Sequence, residues 1–274
     1  MELRFAPRRI DAVVVARRWK RMASSPHPPA DVTGSSSTQP HWILRGPDNH
    51  TTNTTTMSGT QDPPQATTPP ITLHAPYTST PPTKPPPSST AATPAPAPSP
   101  PPPSPAFLAG TWHVTHSTLP MWSSKRNVTI TYTPLASTDP VKLDDLVEYA
   151  PANGPADKRK SIHGVDAPAQ LGRDHGEGDG WAWDWRGKGW LKIASSRWEV
   201  LGYGDEEEVD AGEGNQWVVT FFASTLFTPA GIDIYSRRAG GLRPDTVSAI
   251  KSALQGLGAQ DVAQLAGKLF EISR

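Results

Sequence analysis

Gly180-Trp181-Ala182-Trp183-Asp184-Trp185-Arg186-Gly187-Lys188-Gly189-Trp190 carries three tryptophans at every second residue. That is the side-chain period of a strand, and it sets three indoles on one face with Ala182, Asp184 and Arg186 on the other. Each indole removes a large apolar area from water, and its N–H needs a partner once enclosed. A row of three makes an aromatic wall around a core or a cavity. The run continues into Leu191-Lys192-Ile193, breaks at Ala194-Ser195-Ser196 and resumes as Arg197-Trp198-Glu199-Val200-Leu201-Gly202-Tyr203. This is the pattern of two neighbouring strands about a short polar turn.

Working outward, strands are expected at Gly110–Ser117, Asn127–Thr133, Leu143–Tyr149, Ser161–Asp166, Trp185–Ile193, Arg197–Tyr203, Gln216–Phe222 and Ile232–Arg237. Turn clusters separate them, and no helical period intervenes. Such a series specifies a mainly β fold, an eight-stranded antiparallel up-and-down barrel able to hold one small ligand. The tail then changes period. Val247, Ile250, Ala253 and Leu254, followed by Val262, Leu265, Ala266, Leu269 and Phe270, form two apolar stripes at helical spacing. They predict a helical hairpin packed on the barrel or over one mouth. Pro244 and Asp245 suit its first turn, and Gly256 or Gly258 the stop of its first helix.

The other end of the chain has a different composition. The protein has 32 prolines, and from Ala23 to Pro105 the chain is mostly Pro, Ser, Thr and Ala. So little apolar surface cannot offset the entropy of ordering, so residues 1–105 are expected to be a disordered leader and linker, and 106–274 the barrel with its hairpin. Residues 1–22 are basic, with Arg4, Arg8, Arg9, Arg17, Arg18, Lys20 and Arg21 against Glu2 and Asp11. Two readings stand: a mitochondrial presequence, or an extension upstream of a start at Met22 or Met57 rather than Met1. Asn49-His50-Thr51 and Asn53-Thr54-Thr55 are glycosylation sequons that matter only in a secreted chain. Pro82-Thr83-Lys84-Pro85 fits an SH3- or WW-type partner, although proline tracts generate the pattern by chance.

The balance of 26 basic and 26 acidic residues gives no field toward nucleic acid or anionic membranes. The basic–aromatic mixture at Trp185–Lys192 is therefore not read as a nucleic-acid platform. No apolar run is long enough to span a membrane. The chain has no Cys, which excludes disulfides, thiolate chemistry and Cys-ligated metals and fits a cytoplasmic setting, the mitochondrion being the alternative through the basic leader. No His-x-His or His-Glu-x-x-His spacing occurs, and no cofactor or metal is expected.

Gly110-Thr111-Trp112 opens the first strand of the folded region. This Gly-x-Trp resembles the opening motif of the lipocalins and their calycin relatives, of the divergent intracellular kind. The middle Thr-Asp-Tyr motif of that family is missing. The resemblance implies that Trp112 sits at the closed end of an eight-stranded barrel. It also implies that an arginine from the last strand, Arg237 or Arg238, packs across that indole, and that a helix follows. A guanidinium on an indole face would contribute about 1–2 kcal/mol once desolvated.

Strand parity then divides inside from outside. If Trp112 faces the bore, so do Val114 and His116. Trp181, Trp183 and Trp185 share one face, as do Trp198 and Val200, and Trp217, Val219 and Phe221. The reading is a small hydrophobic or aromatic molecule held in a Trp-lined cavity by Trp112, Val114, His116, Trp181, Trp183, Trp185, Trp198 and Trp217. Packing of the same residues as plain core is the alternative. An enzymatic alternative, an isomerase, cyclase or hydratase, would use His116 or His163 with a carboxylate such as Asp166 as acid–base partners. Asp144, Asp145 and Glu148 read as solvated strand charges.

Overall fold

The computed structural model describes residues 71–77, 100–155, 157–169, 180–206, 214–226 and 228–274. The basic leader, Met22, Met57, the sequons and Pro82–Pro85 lie outside the described residues. Eight strands form the barrel: β1 Gly110–Ser117, β2 Lys125–Leu135, β3 Lys142–Pro151, β4 Lys160–Pro168, β5 Ala182–Gly187, β6 Ser195–Glu206, β7 Asn215–Phe222 and β8 Gly231–Ser236. Each pairs antiparallel with its sequence neighbour. β1 closes the cylinder by pairing with both β2 and β8. The expected up-and-down barrel is the fold observed.

The strand expected at Trp185–Ile193 is shorter and earlier. β5 ends at Gly187, and Gly189–Leu191 forms a 3-10 turn before β6. At Gly187 a side chain would meet the Leu191 backbone oxygen at 2.4 Å, so the tight turn back requires glycine there.

α1, Pro105–Leu108, is a single turn capped by the Ser104 hydroxyl, and it leads into the start of β1. The hairpin is α2, Pro244–Gly256, and α3, Gln260–Ala266. Its apolar stripes, including Ile250, Leu254, Val262 and Ala266, pack with Leu201, Val219, Ile232 and Ile234. The hairpin therefore lies on the outer face of β6–β8, not over a mouth. Leu269 and Phe270 do not continue the helix. β9, Phe270–Glu271, pairs with the end of β1, and the Asn127 N–H donates to the Ser273 carbonyl at 2.9 Å. The C-terminal segment thus fills the seam where β1 and β2 splay apart.

Part of the proline-rich stretch upstream of residue 106 packs on the barrel. Ile71–Tyr77 crosses β6: the His74 N–H donates to the Leu201 carbonyl at 2.9 Å, and the Tyr77 N–H to Glu199 Oε2 at 2.7 Å. The His74 ring meets Trp181 edge-on at 4.4 Å between centroids. Pro101 accepts a 2.9 Å bond from the Tyr203 hydroxyl.

Candidate functional site: an acid-bearing aromatic cavity

The lower end of the barrel is shut by Trp112 and Arg237. Trp112 is fully buried and donates its indole N–H to the Leu108 carbonyl at 2.8 Å. The Arg237 guanidinium lies 3.6 Å from the centre of that indole. Its nitrogens also donate to the carbonyls of Phe107, Ala109 and Thr111 at 2.5, 2.8 and 3.2 Å. Gly110 holds φ +93°, and a Cβ there would lie 3.2 Å from the guanidinium, so the first residue of the motif makes room for the last-strand arginine. Arg237, not Arg238, occupies the position the lipocalin resemblance implied. With strand number, closure and trailing helix, this arrangement makes the fold lipocalin-like.

Above the plug, toward the loops at 118–124, 188–194 and 223–230, the interior opens into a cavity of about 130 Å³. Every barrel strand except β1 contributes to its wall. The aromatic part is Trp122, Tyr132, Trp185, Trp198, Phe222 and Tyr235. Trp198 is held from both sides, stacked on Trp183 at 5.9 Å and on Tyr132 at 5.7 Å, each at 16°. Trp185 depends on a missing side chain: a Cβ on Gly164 would fall 2.2 Å from the Trp185 indole nitrogen. Gly164→Ala should therefore push Trp185 off its seat at a cost of about 1–3 kcal/mol. The checks are a lower thermal midpoint and an altered tryptophan emission maximum; an unchanged spectrum would place the indole elsewhere.

Of the residues expected to bind ligand, Trp185 and Trp198 line the cavity. Trp183 backs Trp198, Trp112 and Val114 belong to the core toward the plug, and Trp181 is buried against His74 and Tyr203. Two expectations are overturned. Trp217, with Val219 and Phe221, packs in the cluster beneath the helical hairpin, outside the bore. Both faces of β7 are covered, so its apolar residues do not alternate, and parity alone cannot tell in from out. His116 is also outside: a bulge in β1 between Val114 and His116 shifts the register. Ser117 takes the inward place, and His116 lies opposite Glu271 of β9.

Neither His116 nor His163 is paired with Asp166. His163 sits on the outer face, 2.8 Å from Asp144, which also pairs with Lys188. Neither histidine lines the cavity.

The bore instead contains carboxyl groups. Asp145, expected to be solvated, is 6% exposed and lines the cavity. Asp233 also lines it and accepts a 2.5 Å bond from the Ser117 hydroxyl. Asp166, fully buried behind the wall, accepts the Trp198 indole N–H at 2.8 Å. Burial pushes Asp166 up to about 7, against the pull of that bond. Burial likewise lifts Asp233 to about 7, against the Ser117 hydroxyl and the Trp122 indole. Asp145 is held well above the carboxylate range by burial and by Asp166, the Trp185 indole offsetting part of this. Burial keeps Tyr132 and Tyr235 as neutral phenols. A signal for Asp145 existed in the sequence, because it shares strand parity with Leu143, Val147 and Tyr149, all buried.

No protein-family model matches the chain, and no curated protein matches it in sequence. Among solved structures it is similar to lobster apocrustacyanin A1, at 13% identity and a TM-score of 0.37 over 61% of this chain and 77% of that one. The siderocalin Ex-FABP matches at 12% identity and a TM-score of 0.37, over 61% of this chain and 94% of that one. Insecticyanin from the tobacco hornworm Manduca sexta matches at 12% and 0.36, over 61% and 78%. Among the described residues, no helix is long and apolar enough to cross a membrane.

Proposed function

We propose that this barrel binds one small, predominantly aromatic molecule in the cavity between Trp122, Tyr132, Trp185, Trp198 and Tyr235. The supporting observation is the cavity itself, about 130 Å³ of space with aromatic walls inside a barrel plugged at one end. An apolar cavity of roughly 150 Å³ suffices for a benzene ring, which sets the scale of the enclosed part of the occupant at no more than a single ring. Shape and ring contacts supply the affinity, and the few polar atoms fix orientation.

Trp122, Trp185 and Trp198 make the cavity self-reporting. Titrating the full-length protein with a panel of single-ring aromatic compounds should give saturable changes in tryptophan emission. The response should fall sharply in Trp185→Ala, which removes one wall. A panel that leaves the emission unchanged at millimolar concentration, in a protein shown to be folded by circular dichroism, overturns the reading.

A further inference from the structure

We infer that the occupant carries a protonated amine, whose N–H groups meet the Asp145 and Asp233 carboxylates while its apolar body lies against the aromatic wall. This rests on the binding reading above and narrows it to a ligand class. The first ground is a mismatch of charge. Among the described residues, Asp145 and Asp233 line the cavity, and no Lys, Arg or His side chain does. Each has a donor of its own, the Ser117 hydroxyl for Asp233 and the Trp185 indole for Asp145, but the lining supplies neither with a counter-charge.

The second ground is a specific unmet bond. Asp145 is more than nine-tenths buried, and among the described residues its Oδ1 has no hydrogen-bond partner. An acceptor pointing into an aromatic cavity calls for a donor from the occupant. The third ground is the wall. Indole and phenol faces attract a cation once water is excluded, and six aromatic side chains surround this space. A metal ion fits less well. Among the described residues no three acidic or histidine side chains converge in a way that could hold one. The lone unpartnered oxygen favours an N–H-bearing ammonium over a quaternary one, which has no donor.

The protonation chemistry agrees. Among the described residues the titratable groups facing the interior are Tyr132 on β2, Asp145 and Tyr149 on β3, Asp166 on β4, and Asp233 and Tyr235 on β8, with the buried Lys125 of β2 lying over the Tyr149 ring. β5, β6 and β7 present the uncharged Trp185, Trp198 and Phe222 to the cavity. Burial holds Asp145 well above the carboxylate range and lifts Asp233 to about 7, so an incoming cation displaces protons from the two groups that line the cavity. An alkyl ammonium stays charged to about pH 9, so acidification weakens binding by neutralising the protein.

The experiment compares three isosteric probes on the full-length protein by calorimetry: 2-phenylethylammonium, 2-phenylethanol and phenylacetate. At about pH 8 the ammonium should bind at least about tenfold tighter than the alcohol, and phenylacetate weakest, as expected for one charge-assisted bond. Asp145→Asn, which keeps the cavity's shape, should cut the ammonium's advantage over the alcohol to about threefold or less. Lowering the pH to about 5.5 should weaken the ammonium and leave the alcohol unchanged. If the alcohol or the acid binds as tightly as the ammonium, or if Asp145→Asn leaves the preference intact, the amine inference fails while the aromatic cavity stands. If no probe binds the folded protein, both readings fail.

Discussion

Trp112→Ala should destabilise the barrel by about 3–5 kcal/mol, the cost of emptying a large aromatic from a core that cannot collapse around the gap. Trp112 has no exposed surface, and its indole is bonded and capped from above. Arg237→Ala should cost about 2–3 kcal/mol by a different route. It leaves the carbonyls of Phe107 and Ala109 without the donors they now share. Arg237→Lys should not restore that loss, because an ammonium cannot lie flat on the indole while reaching several carbonyls. The two residues act through one contact, so the double variant should lose less than the sum of the single losses. Urea denaturation of the four proteins measures this directly, and strictly additive losses would mean that guanidinium and indole are not coupled.

The second large effect is a dependence of stability on pH that runs against the usual direction for carboxylates. Asp166 and Asp233 titrate near 7 when folded, against about 3.9 in an unfolded chain. Folded protein therefore holds more protons than unfolded protein between those values. The sign follows: these groups favour folding most at low pH, and the benefit is lost as pH rises toward 7. Taken alone, one such group accounts for on the order of 4 kcal/mol across that window. Asp144 pulls the other way. Burial tends to raise it, but its bonds to Lys188 and His163 bring it below its ordinary value. Acid therefore removes stability there.

Comparing wild type with Asp166→Asn separates the two contributions. The amide keeps an acceptor for the Trp198 N–H and has no charge to bury, so the variant should match wild type at about pH 4 and exceed it by about 2–4 kcal/mol at pH 8. Chemical denaturation at several pH values measures the difference. A gap that does not widen with pH would mean that Asp166 is not titrating in the interior.

How far the sequence could be read depended on whether a segment had one buried face or two. Trp112 was legible from the short motif that opens β1, and the arginine across it was narrowed by the same resemblance to Arg237 or Arg238, a choice that needed the contact itself. The hairpin was legible because each helix has a single apolar stripe. β7 defeated parity because Trp217-Val218-Val219 is covered on both sides, by the bore and by α2 and α3. In β1 one bulge was enough to move His116 out and Ser117 in. The carboxyls were the deepest omission. An isolated Asp between apolar residues normally marks the wet face of a strand, and only its parity with Leu143 and Tyr149 placed Asp145 among buried neighbours. Trp122 ends a 3-10 turn after β1 and lies in no strand, so no alternation pointed to it.

Ile71–Tyr77 bears on what counts as the smallest autonomous unit of this polypeptide. A fragment begun at Phe107, where the strand-forming composition starts, would lack the residues that meet the Glu199 carboxylate and the edge of Trp181. It would also expose the Gly202 backbone, against which Leu73 and Thr72 now lie so closely that a methyl group there would stand 2.5 Å from the leucine. A version that keeps these contacts therefore has to carry the short upstream splint as well as the cylinder.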